Sequence, residues 1–253
     1  MTEILPFANA AAFHVFAVFL RVSTASALLP AFGEHSIPMR IKLVLALAFT
    51  FIVAPAVSAS GVPPSLGSLA LFVLSETLTG LVLGIGIRLF VLALQTAGSM
   101  AAQSTSLSQV VGGASIEPIP AMGYVLVIAG LALAVMSGLH VKAAELLILS
   151  YEIIPMGRFT DASILSEWGV AQIGRAFALA FTLAAPFVIL SVIYNLALGA
   201  INKAMPQLMV AFVGAPVITA GGLLMLCLAA PIMLSVWLGA MDAFLNNPFG
   251  PIP

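Results

Sequence analysis

Charge is what this sequence has least of. Only 7% of its 253 residues are Asp, Glu, Lys or Arg, and 62% are hydrophobic. A soluble domain carries about 25% charged residues, so a water-soluble fold is excluded. The apolar runs are continuous and much longer than the alternating strands of about ten residues that build a membrane barrel. An all-α membrane-class chain follows. Eight bases against nine acids form no basic patch, which argues against a nucleic-acid partner. A single cysteine, Cys227, excludes an internal disulfide. Its setting, "GGLLMLCLAAP", predicts a small, buried apolar role.

Catalytic signatures are also missing. The chain has no HExxH, no GxSxG and no Walker lysine loop. His14, His35 and His140 lie far apart, without ligand spacing. "GIGIR" is a lone GxG. These absences predict a chain that is not an enzyme, with no catalytic or metal residues and no cofactor.

What is there is apolar sequence in about six segments, roughly 4–32, 43–60, 66–97, 122–149, 170–201 and 204–241. The last, with about 38 uncharged residues, is too long for a single straight span of about 20. Pro206, Gly214, Pro216, Gly221, Gly222 and Pro231 interrupt it, which predicts two helices or a hairpin with a broken middle. "ASA" at 25–27 mimics a signal cleavage site. The preceding residues hold Glu3 and no base, and Arg21 lies inside the run, so the expectation is a retained helix. The charged stretch 150–169 reads as a solvated loop. The bases split evenly between the two sides that alternating spans would give, so orientation does not follow. No repeat and no linker divides the chain, which predicts one domain over 1–253.

Several charges sit in or beside the apolar runs: Arg21, Glu76, Arg88 and Arg175. A charge at mid-helix costs roughly 2.5–3.5 kcal/mol on the translocon scale. Glu76 and Arg88 are twelve residues apart, about 18 Å along one helix, and do not pair with each other. Either these side chains reach a segment end or they face a partner subunit or a wet pore. Gly80 and Gly84 form a small-xxx-small face, which predicts close helix packing. Ser191, Asn195, Gly199 and Asn202 share one polar helix face, suited to hydrogen bonds within the chain or between subunits.

The segment "QSTSLSQVVGGASIEPIPAMG" (103–123) stands apart: polar, glycine-hinged and without a base. On residues alone it is a connector or a functional loop.

Three blocks carry a resemblance. The first is "RVSTASALLPAFGEHSIPMRIKLVLALAFTFIVAP" (21–55), with Arg21, Pro30, Ile37, Pro38, Arg40, Lys42, Ala54 and Pro55 in a recurrent order. The second runs from Gly138 to His140, through Ser150 and Tyr151, to Pro155–Gly157. The third is "NLALGAINKAMPQLMVAFVGAP" (195–216). Together they resemble the FliR-type export-gate proteins of bacterial flagella, which are similar to the gate subunit of virulence type III secretion systems (the FliR/SctT family). The "NLALG" block leans toward the flagellar branch.

The resemblance implies a subunit of the flagellar protein export gate in the bacterial inner membrane, at the basal body. It implies one copy of this chain with FliP-type and FliQ-type subunits and an FlhB-type switch subunit, in a helical, cone-shaped hetero-oligomer that passes unfolded export substrates. It further implies that the loop at about 103–121 plugs the channel. Gln103, Ser108, Gln109, Val110, Val111, Gly112, Gly113, Glu117 and Pro118 are the candidate plug residues. Gln109 and Gly112 stand where family members carry bulkier side chains, and Met209 stands where a polar residue is common. Arg21, Arg40, Glu76, Arg88, Asn195, Asn202, Pro206 and Gln207 are candidate intersubunit contacts. Outside the resemblance, a small-solute transporter subunit also fits broken apolar segments and interior charges. It requires a ligand site near Glu76 or Asn195 and an inverted repeat, which the sequence lacks.

Overall fold

The computed structural model describes residues 4–59, 61–106, 121–205 and 210–249, and among these there is no strand. The elements are α1 (Ile4–Leu28), α2 (Met39–Val53) with a 3-10 turn at Ala54–Ala56, α3 (Leu66–Ser106), α4 (Ala121–Met136), α5 (Leu139–Ile153), α6 (Ala162–Ala204) and α7 (Val210–Asn246). Among the described residues, five helical segments are long and apolar enough to cross a bilayer. The pair α4–α5, bent by 72°, makes a sixth if counted as one span. In an apolar medium every backbone N–H and C=O must be satisfied within the segment, which favours uninterrupted helices.

That demand overrides two sequence expectations. From Val210 onward the last apolar run is one helix, α7, despite Gly214, Pro216, Gly221, Gly222 and Pro231. The break falls in the fourth run instead. Gly138 adopts φ 83°, a left-handed conformation that only glycine takes without strain, and divides α4 from α5. The solvated loop is also shorter than 150–169. Asp161 caps α6 by accepting from the Ser163 N–H and hydroxyl, each at 2.9 Å. The helix therefore begins at Ala162, ahead of the apolar run. Cys227 is exposed on α7 rather than buried.

The chain packs as two compact units. The first holds residues 1–89, 134–172 and 241–253. Here α1 lies on α3 at the small-xxx-small face. A Cβ on Gly80 would overlap Thr24 Oγ1 and the Arg21 carbonyl oxygen, and one on Gly84 would stand 3.0 Å from the Ala25 oxygen. Close packing is thus what that glycine pair does. Val18, Val22, Leu83, Ile87, Leu139 and Leu146 fill the core. At the far end of the chain, Trp168 stacks near Phe244 and Phe249 and donates to the Pro248 carbonyl at 2.8 Å. Lys142 pairs with Asp242 at 2.7 Å.

The second unit holds residues 90–133 and 173–240. Its centre is the fully buried Trp237, whose indole N–H donates to the Phe90 carbonyl at 2.8 Å. Leu94, Leu126, Leu183, Phe187 and Met233 are buried in the same unit. Close van der Waals packing, rather than escape from water, holds such helices together in an apolar medium.

Candidate functional site

Two features stand out: a charged cluster sealed inside the first unit, and the root of the polar loop in the second.

The cluster begins with Arg21, on the buried face of α1. Its side chain and that of Glu76 on α3 are both 0% exposed. The pair is bidentate, Nε to Oε2 at 2.9 Å and Nη2 to Oε1 at 3.0 Å. Nη2 also donates to the Ile154 carbonyl at 3.0 Å, and Nη1 donates to the Ser150 carbonyl and hydroxyl at 3.1 and 3.2 Å. All five guanidinium N–H groups therefore have an acceptor, which is what a buried arginine requires. The Tyr151 ring lies 3.8 Å from the guanidinium carbon and adds a cation–π contact. Glu76 Oε1 accepts in addition from the Gly157 N–H at 2.8 Å. Gly157 has φ 72°, and a Cβ there would sit 2.6 Å from the Phe72 ring, so glycine is needed on both counts.

The cluster ties α1, α3, the end of α5 and the loop after it into one knot. It also shows what two of the sequence blocks do. Arg21 comes from the first block, and Ser150, Tyr151 and Gly157 come from the second. Their spacing in sequence carries no hint of contact, but folding wraps one around the other.

A second charged pair lies about three turns further along α3. Both terminal Nη groups of Arg88 donate to the Glu34 carboxylate, the longer contact being 3.2 Å, and each side chain is 21% exposed. Lys42 donates to the Gly33 carbonyl at 2.9 Å. The "GEHSIPMRIK" turn is thereby fastened at both ends.

These contacts correct part of the sequence reading. Arg21 and Glu76 are sealed inside the chain and satisfied by it, so neither is available to a neighbouring subunit. Arg88 too has its partner within the chain. The expectation offered a segment end, a partner subunit or a wet pore, whereas the partners lie elsewhere in the same chain, Arg21 and Glu76 being 55 residues apart and Arg88 and Glu34 54 apart. Arg40, Asn195 and Asn202 are exposed, as a contact surface requires. Asn195 Nδ2 donates to the Ser191 carbonyl and hydroxyl at 2.8 and 3.2 Å. Pro206 and Gln207 lie outside the described residues.

Of the polar loop, Gln103 is exposed at the end of α3, and Ser104 donates to the Ala101 carbonyl at 2.7 Å. Ser108, Gln109, Val110, Val111, Gly112, Gly113, Glu117 and Pro118 lie outside the described residues. The loop's root is defined. Shortly before Gln103, Gly98 lies so close to Gly123 of α4 that a Cβ on it would overlap the Gly123 Cα. Met122 and Gly123, just past the loop, are buried. The outgoing and returning helices thus touch backbone to backbone, and the loop leaves from a narrow neck. Sequence reading missed this pair, since neither glycine belongs to a recognisable motif.

The remaining surface is strongly apolar. On α3, Leu71, Leu74, Leu78, Leu81, Ile85 and Leu92 are all about 40–60% exposed. Phe177, Phe181, Ile193 and Leu196 on α6 and Leu224, Leu228 and Ile232 on α7 are exposed to 60% or more. So much exposed apolar surface is stable only against lipid or other apolar protein faces.

Comparison with known proteins agrees with these features. A model of the bacterial export proteins, family 1, matches residues 12–244. The chain is 33% identical over 237 residues to the flagellar biosynthetic protein FliR of Caulobacter vibrioides, covering 91% of this chain and 94% of that one. It is 28% identical over 220 residues to the protein of the same name from Escherichia coli, covering 85% and 83%. For the protein of that name from Aquifex aeolicus the identity is 28% over 211 residues, covering 81% and 80%. With the family model spanning both compact units, the chain belongs to the bacterial export proteins, family 1.

Proposed function

We propose that this chain is a non-enzymatic subunit of the flagellar protein export gate in the bacterial inner membrane, at the basal body. It forms part of the channel through which unfolded flagellar proteins leave the cytoplasm, and its loop at about 103–121 plugs that channel. In this reading one copy assembles with FliP-type, FliQ-type and FlhB-type subunits into a cone of helices. The whole chain acts as one gate domain. The observation that carries the proposal is the family match over residues 12–244, joined to relatives named for flagellar biosynthesis.

Physical features support it. A plug must hold ions back and still yield to a polypeptide. A loop with a glycine pair, two prolines and no base suits both demands. Gly112 and Gly113 give backbone freedom, while Pro118 and Pro120 restrict the return. The Gly98–Gly123 contact holds the two ends of such a loop together. The exposed apolar faces of α3, α6 and α7 suit a subunit surrounded by others. Energy for transport comes from elsewhere in this reading, because the sequence has no nucleotide-binding loop.

Deleting residues 106–117 tests the plug. Cells carrying the shortened chain should leak ions while the gate still assembles. Unchanged ion permeability with a correctly assembled gate contradicts the plug assignment.

A further inference from the structure

We propose that α6 carries, from Gly174 to Thr182, a docking face for an apolar helix of a neighbouring subunit, and that this helix brings a carboxylate to Arg175. The inference deepens the subunit reading above and rests on it.

Arg175 is a cation without an anion. It lies inside α6, in an apolar run, and is half-buried. Its Nε is buried without a hydrogen-bond partner, and among the described residues it makes no ion pair. Its neighbours one turn away on the helix are Ala171, Gln172, Ala178 and Leu179, none of them acidic. Among the described residues of the second unit, 90–133 and 173–240, there is no acid at all. Gln172 meets the same shortage of acceptors: it is 4% exposed, and its Nε2 has no partner. Arg21, Arg88 and Lys142, all in the first unit, each find a carboxylate within the chain. A cation in apolar surroundings is costly unless paired, and at Arg175 the chain leaves that pairing to a partner.

Beside Arg175 the surface has the shape that a helix needs. Gly174, Ala178 and Thr182 are exposed and recur at a spacing of four, so they form one shallow stripe. A Cβ on Gly174 would meet nothing within 4 Å. The Thr182 hydroxyl donates back to the Ala178 carbonyl at 2.8 Å and needs no outside acceptor. Phe177 and Phe181, each 60% exposed, flank the stripe on one side, and Arg175 flanks it on the other. Small residues let two helix backbones approach closely. A segment laid along an apolar face must also satisfy its own backbone, and a helix does so. Guanidinium and carboxylate then pair through two parallel N–H···O bonds. A lipid phosphate would satisfy the cation but leave the stripe without a use. The occupant is thus an apolar helix that carries an Asp or Glu at the level of Arg175.

The test compares the isolated full chain in detergent with the complex formed when it is co-expressed with its genomic neighbours. In the isolated chain, Arg175→Leu should melt at or above the parent temperature, since it removes an unpaired cation. In the complex, identified by native mass spectrometry, recovery of Arg175→Leu should fall about tenfold or more, the scale of truncating one partner of a desolvated charge pair. Gly174→Leu should lower recovery as well by filling the stripe, with the isolated fold intact. Arg175→Glu should abolish recovery. Changing one Asp or Glu in an apolar segment of a co-expressed subunit to Arg should then restore it. If no such exchange restores it, the anion is not a subunit carboxylate, and the proposal is overturned; a phospholipid bound to the parent and lost in Arg175→Leu would identify a lipid phosphate instead. A lowered melting temperature of isolated Arg175→Leu, or full recovery of that variant in the complex, overturns the proposal too. A parent chain that recovers no partner overturns the subunit reading itself, whereas a parent that assembles alongside an unaffected Arg175→Leu overturns the Arg175 contact alone.

Discussion

Substituting Glu76 by Gln changes one atom in the most deeply sealed polar contact of the molecule. The carboxylate accepts two hydrogen bonds from Arg21 and one from the Gly157 N–H. An amide keeps one acceptor and turns an N–H₂ group toward donors. The Arg21 cation then remains at 0% exposure with only carbonyls, a hydroxyl and the Tyr151 ring for company. Breaking a buried pair in this way costs about 3–5 kcal/mol. For a chain of this size that lowers the melting temperature by roughly 6–20 °C. The assay is thermal unfolding in detergent micelles, followed by the fluorescence of Trp168 and Trp237. Arg21→Leu should cost a similar amount by stranding the carboxylate. The double variant Arg21→Leu/Glu76→Leu leaves no buried charge. It orphans the Ile154 carbonyl and the Gly157 N–H, at about 1–3 kcal/mol each. The double variant should therefore be less destabilised than the sum of Arg21→Leu and Glu76→Leu made singly, by several kcal/mol of coupling. Two single effects that simply add, or a Glu76→Gln protein within about 1 kcal/mol of the parent, would refute the reasoning.

Three further outcomes are expected. Gly157→Ala should cost about 1–3 kcal/mol in the same melting assay, because φ 72° and the Phe72 ring both oppose a Cβ. Gly98→Ala should cost a similar amount by overpacking against Gly123, whereas Gly174→Ala, whose Cβ meets nothing within 4 Å, should be neutral or slightly stabilising. Asp161 has its pKa lowered from 3.8, first by the backbone N–H and then by the hydroxyl of Ser163. A depressed carboxylate stabilises the fold above its unfolded pKa, and that contribution fades as pH falls below about 3.8 through the lower folded value. Hydrogen exchange in the first turn of α6, corrected for intrinsic rates, should rise as pH falls below about 3.8 in the parent and show no such step in Asp161→Asn.

The sequence made the helical class and the number of apolar segments legible, because both follow from composition over windows of about twenty residues. Close packing at Gly80 and Gly84 was legible too, since a spacing of four places both on one face. The breaks were harder. Pro216 and Pro231 suggested an interruption in α7, yet in an apolar setting the remaining backbone bonds keep a helix intact. The actual kink sits at Gly138, where the signal was a plain "SG" dipeptide. Asp161, a good N-cap, marked the true start of α6 and was outweighed by the charges around it. The buried cluster was not legible from spacing at all. Arg21, Glu76 and Ser150 meet across 55 and 129 residues of sequence, and no periodicity reports such a contact. Its residues were flagged only as charges in an apolar run and as members of recurring blocks, which named them without bringing them together.

The central claim is that this chain is one subunit of a hetero-oligomeric export gate. Native mass spectrometry of the gently solubilised protein, co-expressed with its genomic neighbours, tests it most directly. The account predicts a single copy of this chain bound to several copies each of two smaller membrane proteins. A monomer or homodimer without such partners would contradict it.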